Sequence, residues 1–207
     1  MIYLFLMKIK NISPLVFLFV SLTSNANMAT QVDPVTGLKY DCAYVSPVLT
    51  IEKQEGWLWC WAASISTIFK HYGHPVAQST IVTRIKGVPI DEAGWPAEMT
   101  AALSTTWVDL NGETFKATCQ IHDMDSGTST FNNSGIMTDL RNNKPILYCN
   151  SNHAMVLVAA TSEVWPDGNW RIVNGQVLDP SPMAPSPRFL NPMTEGFPRF
   201  AARIRVK

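Results

Sequence analysis

The chain has 207 residues, with 16 basic and 16 acidic side chains and an isoelectric point near 6.9. So even a balance argues against nucleic acid or an anionic membrane as the main partner, since both need a basic face. Its length fits one domain, long enough to bury roughly 70% of its unfolded surface.

Residues 1–26 read as a targeting segment. Lys8 and Lys10 supply positive charge, and "ISPLVFLFVSL" from Ile12 to Leu22 is an apolar run of signal length. "SNA" at 24–26 then sets small residues at a cleavage site after Ala26. The other reading is an uncleaved anchor, but the run after Lys10 is short for a bilayer. No later run is long enough to cross a membrane. Lys8 and Lys10 are the only charges in this segment, so the 181 residues from Asn27 onward carry 14 basic and 16 acidic side chains. A secreted or periplasmic protein, off the membrane once cleaved and monomeric, is expected.

Residues 27–53 are mixed and turn-rich, with "DPVTG" at 33–37, and read as an N-terminal arm leading into a domain at 54–207. Cys60 to Tyr72 predicts a helix. Trp61, Ile65, Ile68, Phe69 and Tyr72 recur three and four apart, and Gly73 stops it. A short helix follows over 79–86, ending before Gly87, and another from Pro96 to about Thr105. "TWVDL", Asn111-Gly112 and "ETFKATCQI" predict a hairpin with a two-residue primed turn. "TSTFNN" reads as loop, 134–142 as a short helix broken by Pro145. "PILYCN", "HAMVLVAA" and "NWRIVN" running into "QVLD" predict three strands, with "PDGN" turning between the last two. Six prolines over 180–198 imply an extended surface loop, and "RFAARIRV" at 199–206 a closing strand. Helices first and an antiparallel sheet second is an α+β layout.

Chemistry centres on "QEGWLWCWAASISTIFKHYG", Gln54 to Gly73. A free thiol is a weak nucleophile until ionised. A helix N-terminus favours the anion, and Cys60 opens the strongest predicted helix. A histidine must take the proton. His71 lies down the same helix, about 16 Å along the axis, and cannot reach. His74 sits just past that helix, and His122 and His153 at strand ends. His153 is the best base: "NSN" precedes it as a turn and "AMVLVAA" follows as a rigid support. Asp179, ending "QVLD", is the candidate to orient the imidazole; Asn150, Asn152 and Asn174 are alternatives. Gln54, six residues before Cys60, is placed to donate to an oxyanion together with the Cys60 N–H. Trp59 and Trp61, with Asn152, are expected along the substrate groove, the tryptophans doubling as core.

Each residue has a plainer role available: a core cysteine, a hydrogen-bonded histidine, an Asp-Pro turn. Their joint order shifts the balance. Gln54–x5–Cys60–Trp61–Ala62–Ala63, followed by His153 and Asp179, resembles the papain-like cysteine peptidases, and most closely their compact bacterial branch, which includes staphopain-like, bacteriocin-leader-processing-like and plant-pathogen effector proteases. "DLRNNKPILYCNSNHAMVLVAA" and "VNGQVLDPSP" carry the likeness onward, over about 54–182. Leu58-Trp59 stands where plant papains have a glycine-serine pair, and the third member is Asp instead of Asn.

The resemblance implies a papain-like α+β fold, with a helical half bearing the nucleophile packed on a C-terminal antiparallel sheet. It implies a cysteine endopeptidase that hydrolyses protein or peptide substrates through Cys60, His153, Asp179 and a thioester, with no metal or organic cofactor. A same-fold acyltransferase, deamidase or isopeptidase, or a non-catalytic exported binding protein, are the alternatives. His71 and His74 form an isolated HxxH with no neighbouring carboxylate motif, so no metal is expected there. With Cys60 a thiol, Cys42, Cys119 and Cys149 allow one bridge: Cys119 with Cys149, if their strands are neighbours, or equally Cys42 with either.

Overall fold

The computed structural model describes residues 27–207 except 48, 166–169, 192–193 and 196–197. The expected targeting segment and the "PDGN" turn lie outside the described residues. The described residues form a mixed α/β structure with four helices and a large antiparallel sheet.

Helix α1 spans Cys60–His71 and buries Trp61, Ala62, Ala63, Ile65, Ile68 and Phe69, the face its periodicity marks. It stops at Tyr72 because Gly73 turns left-handed, at φ 91°, where a side chain would be strained. Helix α2 (Gln78–Lys86) ends the same way at Gly87, φ 83°. Helix α3 (Pro96–Ala102) starts on its proline, and the Glu98 carboxylate accepts the Trp95 N–H at 2.9 Å. It ends three residues short of Thr105, because strand β3 (Thr106–Val108) begins almost at once. Helix α4 (Asn133–Arg141) is capped by Asn132, whose side chain accepts the Gly135 N–H at 3.0 Å.

Residues 27–53 are not an arm. Strands β1 (Met28–Val32) and β2 (Lys39–Tyr44) form a hairpin that completes the sheet, so strands stand on both sides of the helices in sequence. The inward positions of β2 are Asp41 and Ala43, so no apolar alternation announces it; Asp41 is kept there by the Thr30 hydroxyl at 2.7 Å. The "NG" turn also differs from expectation. β4 (Thr114–Asp123) pairs with β3, but between them only Gly112 has positive φ, and Asp109 N donates to Glu113 O. The buried Asp109 carboxylate accepts the Asn111 and Glu113 N–H groups, which selects a wider, bulged loop over the primed turn. Two-residue strands β5 (Thr128–Ser129) and β9 (Arg188–Phe189) occur where loop was expected; neither is long enough to alternate.

The remaining strands are β6 (Ile146–Cys149), β7 (Ala154–Val164), β8 (Trp170–Leu178) and β10 (Phe200–Val206). β7 is central. β8 runs along one edge, from Val156 to Val164; along the other, β6 pairs with residues 154–157 and β2 with 159–164. β10 then joins β6 to β4. This order rules out the considered bridge. Cys119 faces Ile204 and Cys149 faces Phe200 across the intervening β10, two strand spacings apart, beyond disulfide reach. All four cysteines are free.

α1 packs on β7 and β6, and α4 on β2, β7 and β8. The loop after α2 closes over the start of α1, and Gly94 there has no room for a side chain: a Cβ would fall 2.5 Å from Cδ2 of buried Trp61. Gly94→Ala is therefore expected to destabilise the fold by about 1–3 kcal/mol. Urea denaturation checks this; a midpoint equal to that of the unaltered protein would show that Trp61 can move aside.

Candidate active site

Cys60 is the first residue of α1, and no side chain caps that end. The turn before it is pinned: Trp59 N donates to Gly56 O, and the Asp91 carboxylate accepts the Trp57 and Leu58 N–H groups at 3.1 and 2.8 Å. Gly56 lies so close beneath Trp59 and Asp91 that a Cβ would sit 2.8 Å from the Trp59 ring and 2.9 Å from the carboxylate. The start of α1 carries the partial positive charge of a helix N-terminus, and Cys60 stands at it.

His153 arrives from the sheet. The turn at 150–153 is held by Asn150, whose side-chain oxygen accepts the Asn152 and His153 N–H groups, while Asn150 N donates to His153 O. The next residue, Ala154, begins β7 and donates its N–H to Cys60 Sγ at 3.5 Å. Asp179 follows the last residue of β8, and the pairing of Val156 with Leu178 sets it beside His153. His153 Nε2 lies 2.6 Å from Asp179 Oδ1, and Cys60, whose sulfur accepts the N–H of the next residue, Ala154, is also close enough to act on the imidazole as a hydrogen-bonding neighbour. The structure thus brings together Cys60, His153 and Asp179, the three side chains singled out in the sequence.

The electrostatics suit a charged imidazole. Burial works against protonation of His153, but the Asp179 and Cys60 hydrogen bonds outweigh it and push its pKa up to about 9. Burial also opposes ionisation of Asp179, yet hydrogen bonds from His153, Arg188 and the Ser181 N–H lower its pKa to about 2. Burial pushes the nearby Cys149 thiol up, and Cys60 adds to the effect. Cys149 is fully packed under the site and contacts the Met99 sulfur at 3.7 Å.

Gln54 is close to Cys60 in the chain but its amide turns elsewhere. Nε2 donates to Gly56 O at 2.9 Å and Trp57 O at 2.6 Å, and Oε1 is buried without a partner among the described residues. The Gln54 backbone N–H donates to Pro180 O, tying this segment to the loop after Asp179. Trp59 and Trp61 do not line a groove. Trp61 is 1% exposed and Trp59 8%; their indole N–H groups donate to Glu92 O and Ile90 O, so both fasten the α2–α3 loop. Trp57, which the sequence groups with these two as core or groove wall, is instead 86% exposed. Asn152 is exposed on the turn before His153.

Two polar groups behind the site were not legible in the sequence. Arg188 Nε donates to Asp179 Oδ2 at 2.7 Å, and Lys53 Nζ donates to the carbonyls of Asp179, Ser181 and Ala184. Both come from stretches without periodic pattern. At the far end of α1, His74 Nδ1 meets Asp109 Oδ2 at 3.0 Å and Glu113 Oε2 at 3.9 Å. These three could close on a cation, but His74 also stacks on Phe115 and Asp109 organises its own loop, which accounts for the cluster as a hairpin anchor.

No family model matches the chain, and no curated protein is similar to it. Among solved structures it is similar to the peptidase domain of Streptococcus ComA, described as a bifunctional ABC transporter involved in a quorum-sensing pathway. The two are 13% identical, the match covers 77% of this chain and 98% of that one, and the TM-score is 0.44.

Proposed function

We propose that the protein is a cysteine peptidase of papain-like type, acting on protein or peptide substrates outside the cytoplasm. What supports this reading is the convergence of Cys60, His153 and Asp179, brought together from a helix start and two adjacent strand ends. In the proposed cycle, Cys60 transfers its proton to His153 and attacks the peptide carbonyl. The imidazolium, steadied by Asp179, then protonates the leaving amine, and a thioester remains on Cys60. Water, deprotonated by His153, releases the acid and restores the thiol.

The oxyanion would meet the Cys60 N–H at the open helix end. Gln54 supplies the second donor by exchanging a carbonyl contact for the charged oxygen, the stronger acceptor. Its buried, unpartnered Oε1 makes the resting amide pose a shallow one. Location outside the cytoplasm rests on the character of residues 1–26 alone.

The test is covalent. An epoxysuccinyl thiol-peptidase inhibitor is expected to abolish casein hydrolysis and to label Cys60, read by peptide mass spectrometry; Cys60→Ala is expected to be inert and unlabelled there. Label confined to Cys42 or Cys119, or undiminished hydrolysis by Cys60→Ala, overturns the proposal.

A further inference from the structure

Behind the imidazole, Arg188, Glu195 and Asn150, which the proposed cycle does not use, close a circuit through Asp179 and His153. Asp179 Oδ2 accepts from Arg188 Nε at 2.7 Å. The other two guanidinium nitrogens of Arg188 grip Glu195 in a two-pronged pair, both at 2.8 Å. Glu195 Oε1 also accepts the Asn150 side-chain N–H at 3.2 Å, and Asn150 in turn holds the His153 backbone N–H at 2.8 Å. The circuit therefore leaves His153 by its ring and returns to it by its backbone.

Every member is anchored. Arg188 sits on β9, which pairs with β8 just before Asp179, and its Nη2 also lies against the Met155 sulfur at 3.0 Å. Glu195 Oε2 accepts the Asn191 N–H at 2.9 Å, and the Tyr148 hydroxyl donates to the Glu195 carbonyl. The Arg188 and Glu195 side chains are 21% and 13% exposed, so water screens their charges only in part.

We infer that Arg188 and Glu195 are a charge-balanced pair of positioning residues that set the angle and the proton affinity of His153 from behind Asp179. The inference rests on the peptidase reading for its purpose but not for its physics. Arg188 fixes the Asp179 carboxylate through one hydrogen bond to Oδ2, leaving Oδ1 to the ring and the Ser181 N–H. A lone cation there would also compete with the imidazolium for the charge of Asp179. Glu195 cancels that competition, so the carboxylate is oriented by Arg188 without being neutralised by it. The pairing is mutual: the Arg188 hydrogen bonds hold Glu195 below the usual carboxylate range, and Glu195 and Asp179 keep Arg188 charged. The other titratable groups facing the circuit are Cys60 on α1, Cys149 and Tyr148 on β6, and Lys53, whose ammonium sits on the Asp179 carbonyl. None of them changes in the variants below.

The experiment follows the His153 ring itself by NMR titration of carbon-13-labelled protein, assigned with His153→Gln, beside the alkaline limb of peptide hydrolysis. Glu195→Gln leaves Arg188 uncompensated and is expected to lower the His153 midpoint by about half a unit or more. Arg188→Met removes the cation and leaves Glu195 bare, so the midpoint is expected to rise by a similar amount. The double variant is expected to return close to the starting value. Purely structural damage would shrink the folded fraction without moving midpoints in opposite directions. If Arg188→Met does not fold, the near-isosteric Glu195→Gln decides alone: an unchanged or higher midpoint overturns the inference. Absence of hydrolysis in the unaltered protein would sink the peptidase reading and leave the titration result standing.

Discussion

Asp179→Asn is expected to lower kcat/KM on a peptide substrate by on the order of 10³, with the fold intact. An asparagine satisfies this role in some enzymes, so the size of the effect must come from the neighbours here. Oδ1 of Asp179 accepts from both His153 Nε2 and the Ser181 N–H, while Oδ2 accepts from Arg188. An amide has one acceptor end. If its NH2 faces Arg188, two donors collide. If it faces His153, Nε2 must become the acceptor, the proton moves to the nitrogen facing Cys60, and the ring can no longer take a proton from sulfur. Either pose strands a donor. Removing the guanidinium relieves the first pose, so Asp179→Asn with Arg188→Met is expected to recover part of the loss. Steady-state kinetics on one fluorogenic peptide checks both variants; a loss below tenfold for the single change would mean that Asp179 has no orienting role.

The second large effect concerns stability and lies far from the thiol. Asp139 on α4 is 1% exposed and receives four hydrogen bonds from two arginines of β10: Arg203 at 2.7 and 3.0 Å, Arg205 at 3.0 and 2.6 Å. Asp139→Ala deletes the shared anion and leaves two partly buried cations side by side, at an expected cost of about 3–5 kcal/mol. For a domain of this size that lowers the melting temperature by roughly 10 °C or more. The pH dependence has a definite sign. Burial opposes the Asp139 charge, but Arg203 and Arg205 outweigh it and hold the folded pKa below 3.8. The stabilisation is thus fully present above the unfolded value and is lost as pH falls through the folded one. Calorimetry should find the gap between the two proteins constant near neutrality and narrowing only in acid. A gap that is small at neutral pH would show that β10 holds to α4 without the carboxylate.

How much of this could be read beforehand depended on whether a residue's role leaves a local pattern. The helices did. Trp61, Ile65, Ile68 and Phe69 keep helical spacing because one face of α1 is buried, and Gly73 and Gly87 mark ends because the backbone there turns left-handed. Cys60, His153 and Asp179 were legible because each stands where an element starts or stops, and the structure brings the three together. The β1–β2 hairpin was hidden because its inward positions hold Asp41 and Ala43, an aspartate kept in by Thr30 instead of an apolar stripe. Trp59 and Trp61 misled for a related reason: tryptophan suits a groove wall and a core equally, and only the carbonyls of Ile90 and Glu92 decide between them. Arg188 and Glu195 sit in a proline-rich stretch where no period exists, and their partners lie on other strands.

β7 takes partners on both edges along nearly its whole length and also carries the weight of α1. His153 enters that strand and Cys60 opens that helix, so both groups of the proposed site belong to the part of the molecule whose amide protons should exchange last with solvent. Fraying at the sheet's outer strands would leave them in register. The proposed activity should therefore vanish only with global unfolding, in a single step.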